Sequence, residues 1–146
     1  MAKGYPDFFG FSMFPYYGTT FRDDDSSVIT PLNNETLISL TMKGIIRGGY
    51  IVVSLPATLN TTLISVSIDG ESVEIIAAPL GDTADASLDL RLPLVSVNRS
   101  LVLAQHIFAI TGDWSFQDSF VITGQNTEPA GNVNVVTRVY YNRIET

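Results

Sequence analysis

From Thr62 to Ala77 two alternating runs, TLISVSI and ESVEIIA, flank Asp69-Gly70. Asp-Gly tolerates positive φ at both central positions, the requirement of a type I′ turn whose twist matches two antiparallel strands. A two-residue loop sets the register. Ile68 then faces Glu71, Val66 faces Val73 and Ile64 faces Ile75, while Ser67 meets Ser72 and Ser65 meets Glu74 on the other side. The apolar faces coincide, and a one-residue slip would turn them outward.

The same period of two recurs along the chain. Ile38, Leu40 and Met42 share one parity, as do Ile51, Val53 and Leu55, and each set marks the buried face of a strand. A first short strand is expected at Val28 to Thr30, and Gly44, Gly48 and Gly49 fall in the connection between the next two. Leu88, Leu90, Leu92 and Leu94 alternate with other residues, and an Asn98-Arg99 turn would set Leu94 against Leu103, Leu90 against Ile107 and Leu88 against Ala109. Pro93 puts that strand at an edge or a bulge. Phe116 to Thr123 supplies a further strand, and Val133, Val135, Val139 and Tyr141 form the inward side of the last. About eight short strands, turns at a spacing of roughly 8 to 12 residues and no 3.6-residue apolar period predict an all-β fold. The expectation is an antiparallel β-sandwich of jelly-roll type over residues 28–146, with a small barrel as the alternative.

Residues 1–27 read differently, as an N-terminal arm and an acidic linker. The opening MAKGYPDFFGFSMFPYYGTTFR holds Tyr5, Phe8, Phe9, Phe11, Phe14, Tyr16, Tyr17 and Phe21, with Pro6 and Pro15 removing backbone donors and Gly4, Gly10 and Gly18 between them. At about 150 Å² of buriable surface each, these aromatics exceed the few hundred Å² that a soluble monomer leaves exposed. They need a cover, either this chain's own core or a partner. They are the candidate partner-binding residues, and Asp23, Asp24 and Asp25 link them to the sandwich.

The chain of 146 residues suits one domain with a sizeable core, and the absence of cysteine excludes disulfides and thiolate metal sites. A net charge of -7 repels phosphate backbones and anionic membranes. No apolar run approaches the roughly 18 residues of a membrane span, and Pro6, Asp7, Gly10 and Ser12 interrupt any secretory-signal core. Any histidine chemistry would rest on His106 alone, in an apolar strand, which reads as a structural residue beside Arg91. Asp23 to Asp25 lack the alternate spacing and glycine of a calcium loop, and Asp82, Asp85 and Asp89 have no matching second cluster. Trp114 with Phe116 is either core or a sugar-stacking platform, with core the expected assignment. Arg47-Gly48-Gly49 belongs to no Walker pattern. No catalytic residue, metal site or cofactor is expected.

The GYPDFFG and FPYYG leader followed by a cysteine-free sandwich resembles the small virion proteins of tailed bacteriophages, above all head decoration or cement proteins. The resemblance covers the arm and the general strand pattern. It implies a structural protein on the capsid surface, assembled in the host cytoplasm, that binds the major capsid protein or another virion protein and forms homotrimers. A tail- or baseplate-associated β-sandwich module that recognises carbohydrate is the alternative.

Overall fold

Alternating apolar residues form strands throughout the computed structural model, which describes residues 20–54, 62–77, 92–100 and 104–144. In chain order these are β1 (Thr20–Ile29), β2 (Asn34–Thr41), β3 (Gly44–Ser54), β4 (Thr62–Ile68), β5 (Glu71–Ala77), β6 (Leu94–Ser100), β7 (Gln105–Ile110), β8 (Trp114–Phe116), β9 (Ser119–Asn126) and β10 (Val133–Arg143). One sheet runs β1-β10-β3-β7-β6, with β8 also paired to β3, and the other runs β2-β9-β4-β5. All pairs are antiparallel. The chain is all-β among the described residues.

The two sheets close on one core, as a sandwich requires. Ile51, Val53, Phe108, Val135 and Val139 from the first sheet meet Leu40, Ile64, Val66, Phe120 and Ile122 from the second, all buried. Each contributes about 1.5–3 kcal/mol by leaving water. Of the expected inward sets, Ile38, Leu40, Ile51, Val53, Val133, Val135, Val139 and Tyr141 are buried, Met42 packs partly buried against the core just past β2, and Leu55 lies outside the described residues. Gly124 on β9 is also inward-facing, and a Cβ there would stand 2.7 Å from Ile29 Cδ1, so the tip of that side chain would have to shift to admit one.

Several boundaries differ from the sequence reading. β1 begins at Thr20 and not at Val28, so Asp23, Asp24 and Asp25 form part of an edge strand paired to β10 and not a linker. Gly44, Gly48 and Gly49 lie inside β3, because a Cβ at Gly49 would come within 2.1 Å of the Arg138 carbonyl oxygen on β10. Glycine lets the two backbones approach there. Phe116 to Thr123 divides into β8 and β9 at Gln117 and Asp118, whose N–H groups donate to Asp69. Asn98 and Arg99 continue β6 and make no turn, so Leu94 pairs with Ile110. The proposed partners Leu88, Leu90 and Leu103, and Arg91 beside His106, lie outside the described residues.

The Asp69-Gly70 hairpin is present, with φ of 53° and 85° at its two central residues. Its register holds for Ile68↔Glu71 and Ser67↔Ser72, then shifts at a bulge so that Val66 pairs with Glu74, Ser65 with Ile75 and Ile64 with Ile76. One inserted residue exchanges the faces of the rest of the strand. Ile76 packs on the core, and Val73 and Ile75 are exposed. The exchange also turns Glu74 across the sandwich, where it accepts from the backbone N–H of Leu94 at 2.7 Å.

Asn126 fastens the opposite end. Its fully buried side chain donates to the Ile29 carbonyl at 3.1 Å and the Gly131 carbonyl at 2.8 Å and accepts from the Glu128 N–H at 3.1 Å. Replacing it with Leu strands those groups, at a cost of about 1–3 kcal/mol.

Two glycines set backbone strain alone against strain joined to crowding, since Gly49 also has a positive φ, 153°. Gly70→Val meets no atom within 4 Å, so its effect comes from positive φ alone. It should cost about 1–2 kcal/mol, or about 3–6 °C of melting temperature. Gly49→Ala must displace the Arg138 carbonyl and should cost about 3 kcal/mol or more. Thermal unfolding of both variants checks the order; equal losses would contradict it.

Candidate association surfaces

Of the eight aromatics read as partner-binding, Phe21 lies in the described structure; Tyr5, Phe8, Phe9, Phe11, Phe14, Tyr16 and Tyr17 lie outside the described residues. Phe21 sits in β1 opposite Tyr141 and stacks on it, with ring centroids 5.7 Å apart and planes at 26°. Tyr141 is buried, whereas Phe21 is 39% exposed. Phe21 thus lies on the outermost described strand of its sheet, half covered by another ring. Burial, followed by the nearby Asp23 carboxylate, raises the Tyr141 hydroxyl above its ordinary pKa.

Beside this entry the outer side of the first sheet is charged. The Asp24 carboxylate accepts from Arg138 through two nitrogens, at 2.6 and 3.3 Å, and Arg22 stands 3.2 Å away. These hydrogen bonds hold Asp24 below the usual carboxylate range and raise Arg138. The guanidinium also lies over the Tyr50 ring, 5.7 Å from its centroid. A shallow cleft of about 300 Å³ lies among Asp24, Asp25, Ser26, Tyr50, Val136, Thr137 and Arg138. With Arg138 on its ring, Tyr50 does not offer that face for sugar stacking.

Trp114 is no platform either. Its indole N–H donates to Thr111 Oγ1 at 2.6 Å and its ring packs on the core, while Phe116 is fully buried against Phe120. The nearest approach to a nucleophile pair is Ser96 Oγ and His106 Nε2, hydrogen-bonded at 2.7 Å. Both side chains are buried, and the imidazole stacks on Phe108 with centroids 4.2 Å apart. A buried pair of this kind braces β6 against β7 and offers a substrate no access. Among the described residues no group of three or more His, Asp or Glu could hold a metal ion, and no helix is long and apolar enough to cross a membrane.

The feature that sequence reasoning missed is the carboxylate of Asp69. Beyond forming the turn, it accepts from the backbone N–H groups of Gln117 at 2.9 Å, Asp118 at 2.6 Å and Ser119 at 3.0 Å. Nothing local in the sequence links positions 69 and 118; the second sheet brings them together by pairing Ile68 with Phe120.

No protein family matches this chain, and no curated protein matches it. Some solved structures are similar to it. Bacillus endospore appendages, described as a family of disulfide-linked pili, share 13% identity over 87% of this chain and 90% of that one, with a TM-score of 0.48. The infectious bursal disease virus Gt strain gives 12% identity over 88% of this chain and 42% of that one, at 0.29, and the VP2 subviral particle of that virus gives the same figures. The chain thus spans 42% of the length of those virus chains. Likenesses this faint leave its function to its own residues. The disulfide link named for the pili has no counterpart in a chain without cysteine.

The carboxylates set an acid limit on stability. The Asp118, Ser119 and Gln117 N–H groups lower the Asp69 pKa, so its contribution is full above the unfolded value of about 3.9 and is lost as pH falls through the folded value. Asp69→Asn keeps a residue that tolerates positive φ and removes the charge. Its melting temperature should lie below that of the parent at pH 7, and the gap should narrow progressively as pH falls below about 3.9. Differential scanning calorimetry across that range measures it, and a pH-independent gap would contradict it.

Proposed function

We propose that this chain is a non-enzymatic structural protein of a virion, a head decoration or cement protein of a tailed bacteriophage. Its aromatic leader binds the major capsid protein or another virion protein on the capsid surface, and the sandwich self-associates, with a trimer as the expected oligomer. The supporting observation is the half-exposed Phe21 on Tyr141. It is the last of eight leader aromatics and lies on an edge strand, so the leader joins the fold at the rim of a sheet. The described core is drawn from Ile29 to Tyr141.

The strand order β1-β10-β3-β7 over β2-β9-β4-β5 supports the jelly-roll reading. Jelly rolls serve viral capsids and lectins alike, so the fold by itself names no function. The tail-associated, carbohydrate-recognising alternative loses support from the positions of Tyr50 and Trp114. In the proposed role the protein ties subunits together by spreading apolar contacts across their joints, and no bond is made or broken.

Because β1 begins at Thr20, the informative truncation removes residues 1–19 and leaves Phe21 on Tyr141. That chain should fold with a cooperative transition and fail to bind phage heads. In the full chain, Phe8→Ala with Phe9→Ala should weaken binding by about 100-fold or more, at about 1.5–3 kcal/mol for each buried ring. Raising salt from about 50 to 200 mM should change affinity by less than about threefold, unlike a contact made by counterion release. Co-sedimentation with heads measures all three. Binding that survives the double substitution and collapses in salt would place the contact on the acidic sandwich and overturn the proposal.

A further inference from the structure

Next to the Arg22–Asp24–Arg138 group the outer face of the first sheet turns apolar. Val136, Val52 and Ile107 stand in one row across β10, β3 and β7. Each lies between two buried residues of its own strand, so its side chain points away from the core. The row continues to the bulge of β6, where Val97 is 57% exposed. At its other end Ser26 stands opposite Val136, and Val28, the next outward position of β1, is 54% exposed. The strip crosses the sheet from one edge strand to the other. On its β1 side it opens into the cleft of about 300 Å³ that Ser26, Tyr50, Val136 and Arg138 help to line.

We propose that in the unassembled protein residues 1–19 of the same chain dock across this strip, with their aromatic rings on its valines and isoleucine, and that a partner draws them off. The segment ends at Thr20, on the edge strand where the strip begins. Ser26, which marks the row, lies about 20 Å further along β1. With Gly18 as the point of reversal, about six extended residues return to the level of Ser26, and about six more cross the roughly 20 Å from β1 to β6. That path sets Phe14 beside the cleft and Phe8, Phe9 and Phe11 on the strip.

Charge and size both select this occupant. Lys3 and Asp7 are the only ionisable side chains of residues 1–19 and cancel, so an acidic body does not repel the segment, whereas a second copy carries a net charge of -7. A strip about 20 Å long and one outward residue wide falls well below the roughly 600 Å² per partner that a stable contact between separate molecules needs. A segment already joined to the sheet avoids most of that association cost, because its effective concentration is in the millimolar range. The contact is thus strong enough to cover the rings in the free protein and weak enough to be exchanged for a larger partner surface. It adds a resting place to the reading of the leader as a capsid-binding segment, and it does not depend on what the partner is.

A chain without native cysteine allows disulfide trapping at chosen positions. In the full chain, with no phage heads present, Gly10→Cys combined with Val52→Cys should close a disulfide within one chain in glutathione buffer. It should do so about tenfold more readily than Gly10→Cys combined with Ser65→Cys, which lies on the outer side of the second sheet, since the bond forms only between residues brought within about 7 Å. Non-reducing electrophoresis separates the closed single chain from linked pairs of chains. If Val52→Cys lowers the melting temperature, Val97→Cys, at an exposed position of the same strip, takes its place. Equal closure of the two pairs, or closure of neither, would overturn the proposal. So would a disulfide that joins two chains, which would give the strip to the leader of a neighbouring copy. Binding to phage heads is measured separately, so the docked leader and the capsid-binding leader can each fail while the other stands.

Discussion

β10 lies between β1 and β3 and is paired with both along its length, so the last strand of the chain separates the first from its sheet neighbours. Its inward residues Val133, Val135, Thr137, Val139 and Tyr141 form a buried row down the sandwich. Neither β1 nor the Phe21 stack can form until that row is in place. Closing so long a loop costs conformational entropy before any contact repays it, which makes this a slow-folding topology. Side-chain ties secure the two ends. Asp69 ties the β4–β5 turn to the β8–β9 connection, and Asn126 holds the loop before β10 to the end of β1.

Charge is divided between the surfaces. β1 is an exposed edge, and an edge strand with open N–H and C=O groups invites another strand to pair with it. Asp23 and Asp25 share the inward parity of Ile29, and Asp24 points outward to Arg138, so acids occupy both faces of this edge. Such an edge resists pairing with a copy of itself. The acidic residues of β1 thereby discourage edge-to-edge growth at that edge. The outward side of the second sheet carries hydroxyls at Ser39, Thr41, Ser65, Ser67, Ser119 and Thr123 beside apolar Val121 and Ile75.

The main features of the sandwich were legible in the sequence because they follow from period two and from turn chemistry. The inward rows Ile38–Leu40, Ile51–Val53 and Val133–Val135 are buried, and Asp69-Gly70 makes its turn with positive φ at both residues. Strand limits were less legible. Glycine and aspartate normally punctuate strands, yet Gly49 and Asp24 lie inside them because of what β10 presents opposite, a close carbonyl in one case and a guanidinium in the other. The β5 bulge left no local mark, since ESVEIIA alternates equally well in either register until Glu74 finds the Leu94 N–H on the facing sheet.

By itself, then, the sequence determined an all-β chain with an apolar face along most of its strands, no cysteine chemistry, a net acidic charge and an opening rich in aromatics. These are properties of composition and of neighbours two residues apart. Tertiary structure alone decided which sheet each strand joins, that the acidic run is an edge strand, that Ser96 and His106 meet in the interior, and that the hydroxyls of three strands share one face. Each of those depends on residues far apart in the chain, whose pairing is chosen by the burial of the whole core and not by any local preference.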